Sequence, residues 1–292
     1  MAKIDKSQYS KEEWRKIRQE RRREKEQKKR EQALDELATI GQEIESSENY
    51  HPHNPLVKGQ NYVLCLKHGD KYSARYVNTL YSMVKRNLTI PFTMVCLTDN
   101  KQGIDKDILC LDLPKELTGW WCKPYMYSAD LPLAKNSTIL YMDLDVVISG
   151  NLNKLFEYNT GEWCVIRDFT RAMQPNWEKY NSSVIRFQHG QLRKVWEDFI
   201  KDPQKIIRSH FGDQDWLWTS AKGTATLWPD EWIRSWKWEI RKDRHLSAGS
   251  KGNRKFQKIE DVVPPSECCI TVFHGDPNPH NCNDPWVRNN WT

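Results

Sequence analysis

The sequence predicts an α/β fold around a largely parallel sheet, and three observations support that prediction. Between residues 61 and 156, short apolar runs alternate with longer amphipathic stretches, which is the βαβ rhythm of such folds. Hydrophobic residues make up 38% of the 292-residue chain and aromatic residues 11%, so the chain can form a packed core. Acidic residues directly follow one apolar run, at the kind of strand end where ligands bind in parallel sheets.

The predicted elements follow one another in regular order from residue 62. We expect strands in the short apolar runs at residues 62–66, 92–97, 108–111, 138–143 and 163–166. We expect helices in the amphipathic stretches at residues 72–85, 123–131 and 151–156. In the first of these helices, Tyr76, Leu80 and Val84 recur at a spacing of four, which places them on one face.

The N-terminal region differs from the rest of the chain in its charge. Residues 11–33 carry eleven Lys and Arg against six Glu, a local charge of +5, and residues 34–50 carry five acids, a local charge of −5. Opposite charges four residues apart favour a solvated helix, while the basic run leaves a nucleic-acid-binding arm open as the alternative. We therefore expect a charged helical extension over residues 1–50, a turn-rich linker over 51–60 and a globular domain over 61–292.

Targeting signals and cysteine usage both indicate a cytoplasmic protein. The first residues lead into charge rather than an apolar segment, and the sequence has no run of 18 apolar residues to span a bilayer. Cys65 and Cys96 lie in apolar strand-like runs, where buried, reduced cysteine is expected. Cys268, Cys269 and Cys282 lack a Cys-x-x-Cys spacing, so the sequence gives no support for a structural zinc.

A pair of carboxylates follows the predicted strand over residues 138–143. In an extended segment, Asp143 and Asp145 point to the same side, so both can face one ligand. Two carboxylates held close together repel each other unless a cation lies between them, and hard divalent ions prefer oxygen ligands. Both neighbouring segments are apolar, and acids placed there need a partner. The alternative is a strand that runs into an acidic turn.

Several motifs resemble those of a known enzyme class. The segment 139–148 resembles the Asp-x-Asp motif of GT-A glycosyltransferases, and the motifs after it occur in the order of glycosyltransferase family 8. These are Leu152-Asn-Lys-Leu-Phe156, Asn181-Ser-Ser-Val-Ile185, Gly212-Asp-Gln-Asp-Trp-Leu217 and Phe273-His-Gly-Asp-Pro-Asn-Pro279. The resemblance covers residues 61 to 286 and implies a GT-A fold with a Rossmann-like sheet. It also implies sugar transfer from a nucleotide-diphosphate sugar, a UDP-sugar above all, to an acceptor hydroxyl with retention of configuration.

The resemblance also implies a role for each matching residue. Asp143, Asp145 and His274 would hold Mn²⁺ or Mg²⁺ against the donor diphosphate. The implied catalytic residues beside the transferred sugar are Asp213, Gln214 and Asp215. The implied donor-binding and sugar-binding residues are Tyr72, Lys123, Asp143, Asn181 and Gly275, with Tyr72 bordering the nucleotide base. Asp168 would face the acceptor.

Simpler structural roles remain open for four of these residues. Asp213 could be a helix N-cap with Asp215 in the first turn, and Asn181 could cap a turn. His274 could be a core histidine. One departure from the family pattern concerns the donor: a motif lysine that contacts the diphosphate is Asn278 here. Lys123 or the basic stretch 241–255, a possible lid, could supply the positive charge instead.

Two other functional classes compete with sugar transfer. A haloacid-dehalogenase-type phosphatase also uses Asp-x-Asp after a strand, but its pair lies near the chain start and is followed by Gly-Thr, whereas Val146 and Val147 follow here. A nucleic-acid-binding protein that uses the charged N-terminal helix is the second alternative. A glycosyltransferase acting on modified DNA would combine the two properties.

Overall fold

The computed structural model describes residues 61–241 and 262–292. The predicted N-terminal helix and linker lie outside these residues, and so does the basic stretch from residue 242 to 255. Of these residues, 61–115, 119–241 and 262–292 belong to one compact unit. The predicted boundary of the globular domain at residue 61 stays a proposal.

A seven-stranded sheet forms the centre of the fold. Its strands, in chain order and leaving out β5, are β1 Asn61–Lys67, β2 Thr93–Thr98, β3 Leu109–Asp112, β4 Thr138–Met142, β6 Cys164–Arg167, β7 Tyr180–Gln188 and β8 Thr226–Leu227. The strand order is β3-β2-β1-β4-β7-β6-β8. β3, β2, β1 and β4 are mutually parallel, β7 is antiparallel to both of its neighbours, and β8 is parallel to β6. The largely parallel α/β sheet predicted from the sequence is therefore confirmed.

A second sheet has three strands, the first of which follows β4 in the chain. It consists of β5 Val146–Ile148, β9 Ile233–Ser235 and β10 Ile270–Val272, in the order β5-β10-β9. β10 is antiparallel to β5 and parallel to β9. The backbone N–H of Phe273 donates to the carbonyl of Asp145 at 2.8 Å, so the chain after β10 lies beside the acidic segment.

Six α-helices occur among the described residues, with shorter helical turns between them. They are α1 Ala74–Asn87, α2 Asn153–Glu157, α3 Arg193–Lys201, α4 Pro203–Ser209, α5 Asp213–Ala221 and α6 Pro285–Asn290. The predicted apolar face of α1 is confirmed, because Tyr76, Leu80 and Val84 are all buried against the sheet core. None of the helices in the described ranges is long and apolar enough to cross a bilayer.

The predicted helix over residues 123–131 is wrong in type and in position. A 3₁₀ helix occupies Gly119–Tyr127 instead, and Pro124 lies inside it. Proline lacks the backbone N–H that an α-helical hydrogen bond requires, and its ring disfavours the α conformation of the preceding residue. The shorter 3₁₀ repeat tolerates such a sequence in a short segment. This 3₁₀ helix positions Lys123.

A buried arginine organises the loop between α2 and β6. Arg186 on β7 is 2% exposed, and within residues 61–241 and 262–292 none of its hydrogen-bond partners is an acidic side chain. Its guanidinium donates instead to backbone carbonyls, including those of Leu155 at 2.9 Å, Asn159 at 2.7 Å and Glu162 at 2.8 Å. Burial lowers the pKa of Arg186. Because one guanidinium bonds to carbonyls spread over residues 155–162, the side chain holds the loop together.

The cysteines match the expectation of free thiols. All eight are unpaired, and all except Cys110 are buried. Cys65, Cys96 and Cys110 lie in register across β1, β2 and β3. Burial and neighbouring thiols raise the pKa values of Cys65 and Cys110, so both remain protonated at neutral pH.

Candidate active site

Asp143 lies one residue beyond the carboxyl end of β4 and is held by both backbone and side chain. Its backbone N–H donates to the carbonyl of Ser183 at 2.9 Å. Its carboxylate oxygen Oδ1 accepts hydrogen bonds from Lys123 Nζ at 2.7 Å and from the Tyr141 hydroxyl at 2.7 Å. Leu144 is buried, so the two acids on either side of it project away from the core, as the alternation of an extended segment requires.

Asp145 is partnered by Tyr72, from the segment just before α1. The Tyr72 hydroxyl donates to Asp145 Oδ2 at 2.8 Å. Burial, followed by the negative charge of Asp143, raises the pKa of Asp145 to about 6, against the opposing effects of Tyr72, Lys71 and Lys123. Burial and the same carboxylates also raise the pKa of Tyr72, which therefore remains a hydrogen-bond donor. Asp145 thus carries a carboxylate that its protein partners do not fully compensate.

Lys123 connects the two acidic segments of the site. Its Nζ lies 2.7 Å from Asp143 Oδ1 and 3.5 Å from Asp213 Oδ2, and it donates to Ser182 Oγ at 3.2 Å. Burial lowers the pKa of Lys123, but the charges of Asp143 and Asp213 raise it more, so the side chain stays protonated. Since only 12% of the lysine side chain is exposed, this is a desolvated ion pair rather than a surface one.

The start of α5 contributes Asp213 and Gln214. Gly212 is the N-cap residue and Asp213 is the first residue of the helix, so the alternative of Asp213 as N-cap does not hold. Asp213 Oδ2 accepts a hydrogen bond from Ser182 Oγ at 2.7 Å. Burial raises the pKa of Asp213, opposed by Lys123 and Ser182. Gln214 Oε1 accepts from Asn181 Nδ2 at 3.0 Å and from the backbone N–H of Ser182 at 3.3 Å.

Asp168 extends this network on its far side. Gln214 Nε2 donates to Asp168 Oδ2 at 3.1 Å. The other carboxylate oxygen, Oδ1, accepts from the backbone N–H of Thr170 at 3.0 Å and caps the 3₁₀ turn Phe169–Ala172. Asp168 is therefore fixed by a backbone contact and a side-chain contact at once. The predicted residues Asn181, Gln214 and Asp168 form one continuous chain of hydrogen bonds.

Asp215 faces different partners from its two neighbours. Its Oδ1 lies 3.3 Å from Lys179 Nζ, and its Oδ2 accepts from the backbone N–H of Phe211 at 3.3 Å. It therefore fixes the turn that enters α5. These two contacts are consistent with a supporting role for Asp215.

His274 lies in an aromatic pocket next to the acidic segment. Its Nε2 lies 2.6 Å from Ser235 Oγ, and its ring stacks on Phe169 with the centroids 5.7 Å apart and meets Trp238 edge-on at 4.6 Å. Burial and the positive charge of Lys237 lower the pKa of His274 to about 4, against the opposing charge of Asp168. The imidazole is therefore neutral at pH 7, which a metal ligand must be.

Gly275 forms the turn after His274. Its φ of +83° lies in the left-handed region, which favours glycine. A Cβ at this position would stand 3.2 Å from Lys237 Nζ, and that ammonium donates to the carbonyl of His274 at 3.1 Å.

Asn278, where the motif lysine is missing, begins a short 3₁₀ turn and donates its backbone N–H to Asn281 Oδ1 at 2.7 Å. Lys237 is thus a cation beside this loop that the sequence did not reveal.

Of the three predicted metal ligands, the two acids fit a divalent cation better than His274 does. Asp143 and Asp145 offer oxygen donors, and burial together with the negative charge of Asp143 raises the pKa of Asp145, so that a bound cation would stabilise its charged form. In the ranges 61–241 and 262–292, however, no group of three or more His, Cys, Asp or Glu side chains is arranged to hold a metal ion. His274 directs its Nε2 to Ser235. Its role as third ligand therefore stays a prediction.

Comparison with known proteins decides the fold. No protein-family model and no curated protein matches this sequence. Among solved structures, the galactosyltransferase LgtC, in complex with donor and acceptor sugar analogs, matches with a TM-score of 0.53 at 14% identity, over 78% of this chain and 93% of its own. The glycosyltransferase GlyE of Streptococcus pneumoniae TIGR4 matches with a TM-score of 0.54 at 15% identity, over 80% and 60% of the two chains. The chain has the GT-A glycosyltransferase fold.

A third match supports the GT-A assignment. The bifunctional glycosyltransferase WbbM gives a TM-score of 0.54 at 14% identity, over 84% of this chain and 53% of its own. This chain therefore spans a little over half of WbbM and 60% of GlyE, but nearly all of LgtC. The GT-A fold predicted from the motif order is confirmed.

Within the GT-A fold, the structure brings most of the predicted site residues together. Asp143, Lys123 and Asp213 share one ion-pair cluster, and Gln214 lies next to it on α5. Ser182 was not predicted from the sequence. Its hydroxyl accepts a hydrogen bond from Lys123 and donates one to Asp213, and its backbone N–H donates to Gln214. Its place beside Asn181 in a motif was the one signal available.

Proposed function

We propose that this chain is a metal-dependent glycosyltransferase of the family 8 type, with residues 61–292 as its GT-A domain. It would move a sugar from a nucleotide-diphosphate sugar, preferably a UDP-sugar, to an acceptor hydroxyl with retention of configuration. The observation that carries the proposal is the buried ion pair of Lys123 with Asp143 and Asp213. This contact joins the end of β4 to the start of α5, two segments 70 residues apart that both carry predicted site residues.

The acid pair is suited to hold the metal and the donor diphosphate. Asp143 and Asp145 would supply carboxylate oxygens to the metal, with His274 as the proposed third ligand. Bound there, the metal would neutralise charge on the departing nucleoside diphosphate as a Lewis acid. Tyr72 fixes the orientation of the Asp145 carboxylate through its 2.8 Å hydrogen bond, and it would lie at the border of the nucleotide.

Gln214 is held as a positioning group for the transferred sugar. Its Oε1 already accepts two hydrogen bonds, from Asn181 Nδ2 and the backbone of Ser182, and its Nε2 donates to Asp168. An amide fixed at three points loses little further conformational entropy when a substrate binds. Its oxygen would present partial negative charge to a positive anomeric carbon. We therefore favour stabilisation of the oxocarbenium-like carbon by this oxygen, with Asn181 beside the sugar.

Asp168 is the proposed residue on the acceptor side. One of its carboxylate oxygens faces Gln214 and the other caps a backbone turn, so its position is fixed relative to Gln214. A carboxylate so placed would orient an attacking hydroxyl by accepting its hydrogen bond. Asp213 is neutralised by Lys123 and Ser182, which favours an electrostatic and supporting role for it. Asp215 would hold the turn before α5.

The two competing functions have less support from this geometry. A phosphatase of the haloacid-dehalogenase type would use the first acid as a nucleophile, whereas Asp143 Oδ1 is engaged by both Lys123 and Tyr141. The nucleic-acid hypothesis depends on residues 11–33, which lie outside the described ranges. Binding to DNA or RNA through that segment, and with it a DNA-modifying transferase, stays a proposal based on charge alone.

A donor screen tests the proposed function. UDP-, GDP- and ADP-sugars would be offered with Mn²⁺ and then with Mg²⁺, and release of the nucleoside diphosphate would be measured with and without simple glycosides as acceptors. We expect release from one nucleotide class, and we expect the Asp145→Asn variant to abolish it because one metal ligand is lost. The matched control is Asp105→Asn, which alters an exposed acid outside the network. Absence of release from every donor would contradict the proposal.

A further inference from the structure

One buried ion pair, formed by Arg171 and Glu239, lies next to the candidate active site. Arg171 Nε donates to Glu239 Oε1 at 3.0 Å and its Nη2 donates to Oε2 at 3.2 Å, and the two side chains are only 3% and 8% exposed. Asp230, which is more exposed, lies 3.0 Å from Arg171 Nη1. Replacement of a buried ion pair by apolar residues is often neutral for stability or even favourable. Stability alone therefore does not account for two desolvated charges at this position.

The arginine end of the pair fixes the backbone around Asp168. Arg171 lies in the 3₁₀ turn Phe169–Ala172 that Asp168 caps, and its backbone N–H donates to the carbonyl of Asp168 at 3.0 Å. Its Nη1 donates to the carbonyl of Arg167 at 2.6 Å, and its Nη2 donates to the carbonyl of Ile233 at 2.8 Å. The guanidinium thus joins the residue before Asp168 to strand β9.

The glutamate end of the pair fixes the backbone beside His274. Glu239 Oε2 accepts a hydrogen bond from the backbone N–H of Ser235 at 2.8 Å. The hydroxyl oxygen of Ser235 accepts from the backbone N–H of Trp238 at 3.0 Å and lies 2.6 Å from His274 Nε2. Glu239 therefore holds the residue whose side chain contacts the imidazole.

The segment that carries Glu239 has an uncommon backbone conformation. Trp236–Ile240 forms a π-helical turn with Ser235 as its N-cap. Such turns are rare in proteins and occur frequently at functional sites. This turn directs the Glu239 carboxylate to the N–H of Ser235, and it places the Trp238 ring edge-on against His274 with the ring centroids 4.6 Å apart. The imidazole is therefore contacted from both ends of the turn.

A second contact connects Arg171 to the same imidazole. The ring of Phe169 stacks on His274, with the centroids 5.7 Å apart and the planes 17° from parallel. The guanidinium carbon of Arg171 lies 5.2 Å from the centroid of the Phe169 ring, within the range of a cation–π contact. Loss of the guanidinium would therefore change both the hydrogen-bonded and the aromatic surroundings of His274.

We infer that Arg171 and Glu239 are positioning residues, which hold Asp168 and His274 in one fixed relation. This inference rests on the proposed function, in which Asp168 stands on the acceptor side and His274 at the metal. The pair acts through the 3₁₀ turn after Asp168 at one end and through Ser235 at the other. Catalytic and ligating groups keep their productive geometry only when residues behind them are themselves locked in place.

Histidine NMR on the metal-free full chain tests the positioning directly. The eight histidines would be labelled with ¹³C and ¹⁵N, and the signals missing from the His274→Gln variant would be assigned to His274. Because its imidazole packs against Phe169 and Trp238, ring currents move its proton signals away from those of a solvated histidine. Calorimetric titration of Mn²⁺ alone is the second measurement, since the loss of groups that orient a metal ligand typically weakens metal binding about 10–100-fold.

Three variants perturb the pair, and the chain offers a matched control. Glu239→Ala removes the carboxylate, Glu239→Gln keeps an acceptor for the N–H of Ser235, and Arg171→Lys keeps the positive charge but lacks the planar fork. The conservative variants keep the test informative if Glu239→Ala does not fold. The control is Arg186→Met, which removes another buried guanidinium. Arg186 bonds to carbonyls in residues 155–162, a loop that contains none of the predicted site residues.

The inference predicts effects at His274 from changes at Glu239 and Arg171. We expect Glu239→Ala to move the His274 ring signals towards those of a solvated histidine and to weaken Mn²⁺ binding about tenfold. Arg171→Lys should move the signals in the same direction by a smaller amount, and Glu239→Gln should retain most of both native properties. Arg186→Met should be less stable than the native chain, with the His274 signals and the Mn²⁺ affinity unchanged.

Three results would overturn the inference. Unchanged His274 signals in Glu239→Ala and Arg171→Lys would show that the pair has a purely structural role. An equal displacement in Arg186→Met would show that any loss of stability moves the imidazole. Displaced signals with native Mn²⁺ affinity would refute a role of the pair at the proposed metal site. If the native chain bound no Mn²⁺, the proposed metal-dependent function would fail, while the His274 signals would still show whether Glu239 positions the imidazole.

Discussion

Removal of the Lys123 ammonium is the sharpest test of the site's construction. Its Nζ lies 2.7 Å from Asp143 and 3.5 Å from Asp213, and the three side chains are 12%, 20% and 13% exposed. At an effective dielectric constant of about 20, these contacts represent attractions of roughly 6 and 5 kcal/mol. Desolvation of the three ions offsets much of this, and breaking such a pair leaves two buried carboxylates uncompensated. We therefore expect Lys123→Met to lower the free energy of unfolding by about 3–5 kcal/mol.

Urea denaturation at pH 7 measures this loss, and the chain contains a matched control. Lys201 pairs with Asp198 at the same distance, 2.7 Å, but the lysine side chain is 72% exposed. Lys201→Met should change stability far less, because solvent and salt screen the exposed pair. Equal effects of the two substitutions would refute the view that Lys123 is a desolvated counter-ion.

The pH dependence of the same variant gives an independent check. Without the ammonium, the pKa of Asp213, which burial already raises, rises further in the folded state, while its pKa in the unfolded chain does not change. A carboxyl group with a raised folded pKa destabilises the protein above that pKa, and the penalty disappears as the pH falls. The stability deficit of Lys123→Met relative to the native chain should therefore shrink from pH 7 to pH 5. A deficit that is constant over this range would point to lost packing.

Four further predictions concern Gln214, Arg186, His274 and Asp145. Gln214→Glu replaces a donor by a carboxylate 3.1 Å from Asp168, so turnover should fall about tenfold or more at pH 8 and recover towards pH 5; a flat pH profile would contradict this. Arg186→Met should lower the free energy of unfolding in urea by about 3–5 kcal/mol because the buried carbonyls of Leu155 and Phe156 lose their donor, and an unchanged stability would contradict its organising role. His274 has a folded pKa of about 4 against 6.5 ordinarily, so stability should fall by about 3 kcal/mol from pH 6.5 to pH 4, and His274→Gln should lack this contribution. Because the pKa of Asp145 is about 6, Mn²⁺ binding at pH 6 should release about half a proton and at pH 8 almost none, as calorimetry in two buffers would show.

The main sheet and α1 could be predicted because their signals are local. The strand predicted over residues 92–97 was found at Thr93–Thr98, and the first helix at Ala74–Asn87. Each is a run of apolar residues with the period of its element, bounded by polar residues. The second sheet gave no such signal, because β5 and β10 pair across more than 100 residues and each has only three residues.

Only those residues of the candidate site that lie within sequence motifs could be predicted. Asp143, Gln214 and Asn181 could be proposed from their order along the chain, and the structure places Gln214 and Asn181 in contact. The partners of these residues depend on tertiary structure instead. The predicted contact between Lys123 and the donor stays a prediction, and the two ion pairs of this lysine could not be read from the sequence. Lys237 could not be predicted, since it comes from a separate segment beside the loop of Gly275.

The net charge of the acidic cluster favours binding of a divalent cation. Asp143, Asp145 and Asp213 would together carry three negative charges, and among these four residues Lys123 supplies one positive charge. These four residues therefore carry a net charge of −2. Asp145 is the carboxylate affected, because burial and the charge of Asp143 raise its pKa to about 6. A divalent cation is the ligand that restores neutrality without protonating a carboxylate. Asp143 is already paired with Lys123, so the uncompensated charge is centred on Asp145, and its carboxylate should contribute most to metal affinity.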